Sequence, residues 1–396
     1  MKKHYLGNVR GNEASIDWLL SRFDEKIKAI KNGYGYASYG ANSTSLDTLA
    51  SGYFCSDSKH YKNSQVLDLM NDVLTFIDSL HRPNYTIDMM ESNFYCAPLF
   101  EAINMARAYR IIDKYAQTDR EKDFLRRYRE YLPKVEKSLL NGGIHTPNHR
   151  WIGTSAMMMM ANILKSDELR KMGEAYLNEG IDMDEFGEFT ERSPHYNEVC
   201  DTSFMQIALE TGKMEYLEYA KKNMDLMFNY IEPNFTVFTQ NSNRQDKHEG
   251  DINAITPPNY LYYTYAHMAY ITKNGQYAKF ADDIYNSIVE KHGRGPGLLH
   301  MYMLYPELLD FDPVLEDYPT SYNIFHKDIV RFKKDDFSAT LITRSPNFLF
   351  VQKGDLRCFV RICASFFAVA QFKPLEINKI EDNTYQMKMK AHGEYY

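Results

Sequence analysis

From about Ser15 to about Leu309, apolar residues recur at spacings of three and four, in segments separated by short polar connections. The segments begin with SIDWLLSRFDEKIKAI, SQVLDLMNDVLTFIDSL, APLFEAINMARAYRIIDKY and EKDFLRRYREYLPKVEKSLL. They continue through the Met-rich run IGTSAMMMMANIL to GQYAKFADDIYNSIVEKH. A period near 3.6 predicts amphipathic helices, here about ten of them in about five hairpins stacked side by side. After Pro313 the period shortens to two. FSATLITR, NFLFVQKGD and LRCFVRICASFF are rich in Val, Phe, Thr and Ile and are separated by SPN and KGD, which predicts antiparallel strands. The fold class expected is therefore α+β, with helices over residues 1–312 and an antiparallel β domain over 313–396. The closing segment INKIEDNTYQMKMKAHGEYY still alternates to its end, and so few strands read as a β domain that has been cut short.

Composition narrows the picture. A chain of 396 residues exceeds what a single core normally supports, so two domains are expected, and 44% hydrophobic content is ample for a globular fold. The net charge of −7 offers no general footprint for nucleic acid, so a polyanionic partner has to be met by a local cluster. No stretch approaches a membrane span and the N-terminus lacks a continuous apolar signal core; a cytoplasmic protein is expected, with its oligomeric state open. Cys55, Cys96, Cys200, Cys358 and Cys363 lack the short paired spacings of a zinc or redox site and are expected to be reduced and mostly buried. The 31 Tyr and 23 Phe could stack sugars, but they serve an ordinary core equally well.

Three polar clusters stand at or between predicted helix ends. The first is His145, Asn148, His149 and Arg150, before the Met-rich helix. The second is Glu191, Arg192, His195, Tyr196 and Asn197, and the third is Asn243, Arg244, Gln245, Asp246 and His248. In a hairpin array alternate helix ends share one rim, so clusters about fifty residues apart are expected to meet at one cleft. Asn and Arg hydrogen-bond a carboxylate, while Tyr and His move protons. Together they suit abstraction of the C5 proton of a uronic acid and expulsion of the C4 oxygen, with donors stabilising the enolate-like charge. A tyrosine base needs cationic help, which Arg244 and Arg192 are expected to supply.

TPNHRW, then EFTERSPHYNEVCD, then NSNRQDK resemble the heparinase II/III-like group and the wider polysaccharide lyases built from a toroid and a β-sandwich, over about residues 60 to 370. The resemblance implies an incomplete (α/α) toroid followed by an antiparallel β-sandwich-like region, and β-elimination on an acidic glycan that yields a 4,5-unsaturated uronate. It gives Asn148 the carboxylate-neutralising role, Tyr196 the catalytic role, His195 or His149 the assisting role and Arg244 a place beside the tyrosine. Arg150, Arg192, Glu191, Asn197, Asn243, Gln245 and His248 are expected to bind substrate; no metal or cofactor is expected. His195 and Tyr196 are adjacent, and only a loop or a helix start lets both enter one cleft.

Plainer readings stand beside these. Asn148 could cap the Met-rich helix, His195 and Tyr196 could be a core pair, and Arg244 a surface ion-pair partner. Residues 157–160, MMMM, are core filler. DMDEFGEF, residues 182–189, has Phe186 where a calcium loop needs Asp or Asn, and Ser193 follows where the loop needs its bidentate Glu. GRGPG at 293–297 lacks the Lys-Ser/Thr of a phosphate loop. Two rival functions remain: an (α/α)-barrel glycoside hydrolase acting on uronic-acid oligosaccharides, which should rely on paired carboxylates, and a non-catalytic acidic-glycan-binding protein.

Overall fold

The computed structural model describes residues 2–31, 44–86, 97–247, 256–326, 328–366 and 369–392. Its residues form two compact units, each assembled from separate stretches of chain. The first comprises Met1–Asp182, Val199–Ala220 and Leu261–Glu316; the second comprises Met183–Glu198, Lys221–Tyr260 and Asp317–Tyr396.

The first unit is helical. Its long helices are α1 (Lys2–Lys31), α2 (Thr44–Phe54), α3 (Ser64–Ser79), α4 (Ala97–Tyr115), α5 (Asp119–Asn141), α6 (Pro147–Leu164) and α7 (Asp167–Asn178). α8 (Pro194–Thr211) and α9 (Leu217–Met227) each have residues in both units, and the first unit continues with α10 (Tyr262–Thr272), α11 (Gly275–His292) and α12 (Leu299–Leu304). Hairpin partners pack together as α2 with α3, α4 with α5, α6 with α7 and α10 with α11. Successive hairpins join through two rows, α2–α4–α6 and α3–α5–α7. In the first row α6 is apolar nearly all round because it is covered on both sides: Met157, Met158, Met159 and Met160 are all at most 1% exposed. This agrees with the core role expected of the Met run.

Two helices lie outside the expected set, and a third begins early. α1 starts at Lys2, not near Ser15, although Gly7, Asn8, Gly11 and Asn12 look like breakers. The glycines let other chain segments approach. A Cβ on Gly11 would stand 2.3 Å from the Gly295 carbonyl oxygen, and one on Gly7 would stand 1.8 Å from the Tyr285 hydroxyl. GRGPG is thus the loop that lies against α1. α2 shows apolar spacing at Leu46, Leu49, Ala50 and Tyr53, and α12 spans only six residues, too few to reveal a period.

Helix starts follow local chemistry. Thr118 and Glu121 form a reciprocal capping box at α5. Glu121 also accepts from Lys62 Nζ (2.6 Å) and the Tyr53 hydroxyl (2.9 Å). At α6 the N-cap is Thr146 with Pro147 as the first helical residue. Asn148 therefore lies inside the helix, which corrects its reading as the cap.

The second unit holds the strands. β1 (Tyr322–His326), β2 (Ile329–Lys334), β3 (Phe337–Ile342), β4 (Leu349–Lys353) and β5 (Leu356–Val360) form a five-stranded antiparallel meander in chain order. β6 (Cys363–Phe366) pairs with β7 (Val369–Gln371), and β8 (Glu376–Glu381) with β9 (Thr384–Lys388). Lys334 pairs with Phe337 and Lys353 with Leu356, so two-residue turns join these strands. Positive φ at Asp335 (54°) and Gly354 (53°) gives those turns the twist the sheet requires. LRCFVRICASFF, expected as one segment, breaks between β5 and β6.

One face of the meander is buried with polar groups. Arg331 is fully buried; its guanidinium donates to the Asn229 carbonyl (2.8 Å), Thr340 Oγ1 (2.7 Å), the Tyr322 hydroxyl (2.7 Å) and Glu232 Oε1 (3.3 Å). Lys333 donates to the Ile231 carbonyl at 2.9 Å. Burial lowers the Lys333 pKa to about 8. Cys55 and Cys200 are buried, but Cys358 and Cys363 are exposed, which corrects the expectation of mostly buried thiols; Cys96 lies outside the described residues.

Candidate active site

In the helical unit the first cluster opens α6. Asn148 is fully buried and donates from Nδ2 to Thr146 Oγ1 at 2.9 Å. The buried His149 ring meets Phe100 edge-on at 5.5 Å and lies 6.1 Å from the His145 ring. Arg150 donates to Glu179 Oε2 (3.0 Å) and the Gly180 carbonyl (2.8 Å), and its guanidinium lies 4.1 Å over the Trp151 ring. Trp151 Nε1 donates to Asp182 Oδ1 at 2.6 Å. Arg150 and Trp151 thereby tie the start of α6 to the chain that follows α7.

In the second unit the other two clusters come together. Pro194 is the first residue of α8, so His195 and Tyr196 occupy its first turn, where free N–H groups still seek acceptors. The two rings lie 5.2 Å apart at 79°, and His195 also meets Tyr260 at 5.4 Å. The Tyr196 hydroxyl donates to Gln245 Oε1 at 3.3 Å. The Arg244 guanidinium lies 4.7 Å from the centre of the Tyr196 ring, while its Nη1 is 3.3 Å from Glu191 Oε1. Tyr196 remains half-buried, and His195 keeps an exposed outer edge. Burial of the inner side of the imidazole lowers the His195 pKa, and the nearby Asp246 charge opposes that shift.

The remaining candidates have other engagements. Asn197 is buried and donates to Glu188 Oε1 at 3.0 Å. Glu188 also accepts from the Tyr230 hydroxyl at 2.5 Å. Burial raises the Glu188 pKa despite these bonds. Arg192, with φ of 50°, pairs with Asp328 at 2.7 Å. Asn243 donates from its backbone to the Glu191 carbonyl (3.0 Å) and from Nδ2 to the Thr190 carbonyl (3.2 Å). These bonds join the third cluster to the second. His248 lies outside the described residues.

Sequence reasoning named Asp246 in the third cluster without giving it a role, and left Ser193, Ser242 and Tyr260 out of the site. Asp246 Oδ2 accepts from Ser193 Oγ (2.8 Å) and the His195 N–H (3.4 Å), and its Oδ1 accepts from Ser242 Oγ. Ser193, directly before the Pro that opens α8, carries an N-cap signal that could have been noticed. Nothing local marks Tyr260. The DMDEFGEF segment is a turn: Asp184 Oδ1 accepts from the N–H groups of Phe186 (2.9 Å) and Glu188 (3.0 Å), and Gly187 has φ of 91°. Among the described residues no group of three or more His, Cys, Asp or Glu side chains could hold a metal ion. No helix among them is long and apolar enough to cross a membrane.

No protein-family model matches the chain, and no curated protein does. Solved structures do match. A GH76 alpha-mannanase of Bacteroides thetaiotaomicron is 16% identical over 68% of this chain and 87% of its own, with a TM-score of 0.44. A heparan sulfate lyase of Pedobacter heparinus is 13% identical over 78% of this chain and 46% of its own, with a TM-score of 0.46. A chondroitinase AC lyase is 11% identical over 76% of this chain and 42% of its own, with a TM-score of 0.44. The chain thus spans less than half the length of these two lyases.

Proposed function

We propose that the chain is a polysaccharide lyase that cleaves a uronic-acid-containing glycan by β-elimination, with Tyr196 as the proton-transfer group. The observation that carries this reading is the arrangement at the start of α8: a solvent-reachable phenol with the Arg244 guanidinium 4.7 Å over its ring and Gln245 on its hydroxyl. The guanidinium on the ring face and Gln245 on the hydroxyl hold the phenol oxygen in a fixed position from which it can move a proton. In the reaction the Tyr196 oxygen takes the C5 proton, the C5–H electron pair becomes the C4–C5 double bond, and the C4–O bond breaks. The departing oxygen then needs a proton, which Tyr196 returns from the one it has taken. The resemblance gives Asn148 the carboxylate-neutralising role.

The carboxylates near Tyr196 favour this reading over hydrolysis. Glu191 pairs with Arg244, Asp246 takes up the hydroxyls of Ser193 and Ser242, and Glu188 is buried against Asn197 and Tyr230. A hydrolase needs one carboxyl to protonate the leaving group and another to attack or activate water, whereas these three are engaged in holding structure.

The test is incubation with a panel of uronic-acid glycans, followed by ultraviolet absorbance of the 4,5-unsaturated product. Tyr196→Phe should lower turnover by roughly 10²–10⁴-fold, the usual worth of a positioned general base, with glycan binding retained. Asn148→Ala should also lower turnover, by roughly 10²-fold or more, as the enolate-like charge loses a donor. Near-normal product from Tyr196→Phe would remove Tyr196 from the chemistry. Absence of product from wild type on every glycan would reject the lyase itself.

A further inference from the structure

The turn that carries Arg244 and the helix start that carries Tyr196 meet at one carboxylate. Pro194 has no N–H, so the first turn of α8 has three donors to satisfy early on: His195, Tyr196 and Asn197. The His195 N–H goes to Asp246 Oδ2 at 3.4 Å, the Tyr196 N–H to Ser193 Oγ at 3.1 Å, and the Asn197 N–H to the Ser193 carbonyl at 2.7 Å. Across the turn, the Arg244 N–H goes to Ser242 Oγ at 2.9 Å. Each serine hydroxyl therefore accepts from a backbone N–H and has one proton left to give. Both give it to Asp246: Ser193 to Oδ2 at 2.8 Å, Ser242 to Oδ1.

An ionised carboxylate only accepts, which fixes the direction of both relays. One runs from the Tyr196 backbone through Ser193 to Asp246, the other from the Arg244 backbone through Ser242 to the same group. A negative charge at the start of α8 is also favoured by the helix dipole. We propose that Asp246 is the positioning residue of this site: by holding Ser193 and Ser242 on its two oxygens it sets the Arg244 guanidinium on the face of Tyr196. Its importance for turnover rests on the lyase reading; its hold on the geometry does not.

Two variants test the arms separately. Ser242→Ala cuts the relay to Arg244 and leaves the one to Tyr196 and the α8 start in place. Asp246→Asn keeps the shape but turns one accepting oxygen into a donor, so one serine proton loses its acceptor. In crystal structures of both, the Arg244 guanidinium should leave its 4.7 Å seat over the Tyr196 ring. In turnover, both should lower kcat by about tenfold or more with KM changed less than about threefold, because displacement of about 1 Å can cost on the order of 10²-fold. The imidazole of His195, followed by its NMR titration, should shift to lower pKa in Asp246→Asn, since the nearby negative charge is gone. A purely structural Asp246 would change melting temperature and active fraction while leaving kcat per folded molecule and the Arg244 seat as they are.

Should Asp246→Asn fail to fold, Ser242→Ala still decides. If Arg244 keeps its seat in Ser242→Ala, the proposal is overturned whatever the kinetics. If wild type yields no unsaturated product, the lyase reading falls, and the Arg244 displacement alone decides whether Asp246 sets this geometry.

Discussion

The Arg244 guanidinium and the Tyr196 ring face each other at 4.7 Å, joined from two segments about fifty residues apart in the chain. A guanidinium is planar and can stack on an aromatic face while pairing with a carboxylate, as Arg244 does with Glu191. Arg244→Lys keeps the charge and loses the plane, so turnover should fall by roughly tenfold. Arg244→Gln loses both and should fall by roughly 10²–10³-fold, the scale of one lost charge-stabilising donor. Initial rates of unsaturated uronate formation check both; equal activity in wild type and Arg244→Gln would place the residue outside the chemistry.

Burial holds the His195 pKa below its ordinary 6.5, with the Asp246 charge opposing, which favours the neutral imidazole at pH 7. If neutral His195 assists proton transfer, the acid limb of kcat against pH should lie below 6.5. In His195→Gln that limb should disappear along with much of the rate. An acid limb unchanged in His195→Gln would assign it to another group.

Glu121 illustrates a stability contribution with a definite pH window. Burial alone would raise its pKa, but Lys62, the N–H groups of Gln117 and Thr118 and the Tyr53 hydroxyl outweigh it, bringing the value down to about 2 from 4.5. With the folded pKa depressed, the contribution is fully present above about 4.5 and is lost as pH falls toward 2. Glu121→Gln should cost on the order of 2–3 kcal/mol at pH 7 and less as pH approaches 2. Urea unfolding of both proteins at pH 7 and pH 3 checks it, and a pH-independent difference would contradict the charge as its source.

Arg331 should behave differently, because it is fully buried and its charge is matched by Glu232. Arg331→Met leaves Glu232 buried without its cation, along with the Asn229 carbonyl and Tyr322 hydroxyl that accept from it. The expected loss is about 3–5 kcal/mol, read from urea denaturation. The double variant Arg331→Met with Glu232→Gln should recover part of it, since the carboxylate that has lost its Arg331 partner is then removed; no recovery would mean that the neutral hydrogen bonds dominate.

Local order was written in the sequence wherever a residue's neighbours in the chain decide its state. The apolar period of SQVLDLMNDVLTFIDSL gives α3, and Pro147 opens α6. Gly354, between two alternating runs, gives the β4–β5 turn. The clusters around Tyr196 and Arg244 were also legible as polar residues at element ends, and so was the chemistry their side chains can perform. What the sequence by itself did not determine were states set by distant atoms. Helix was expected only from near Ser15, yet α1 starts at Lys2 and carries Gly7 and Gly11 where Tyr285 and the Gly295–Gly297 loop come too close for a side chain. Arg331 and Lys333 stand two apart on one strand, and their charged side chains are buried because the 229–232 backbone and Glu232 offer them acceptors. Asp246 stood in the third polar cluster with no role of its own. Only the tertiary structure, by bringing Ser193 and Ser242 to its two oxygens, turned it into the point where helix and turn are joined, since a hydrogen bond depends on distance in space and not on separation along the chain.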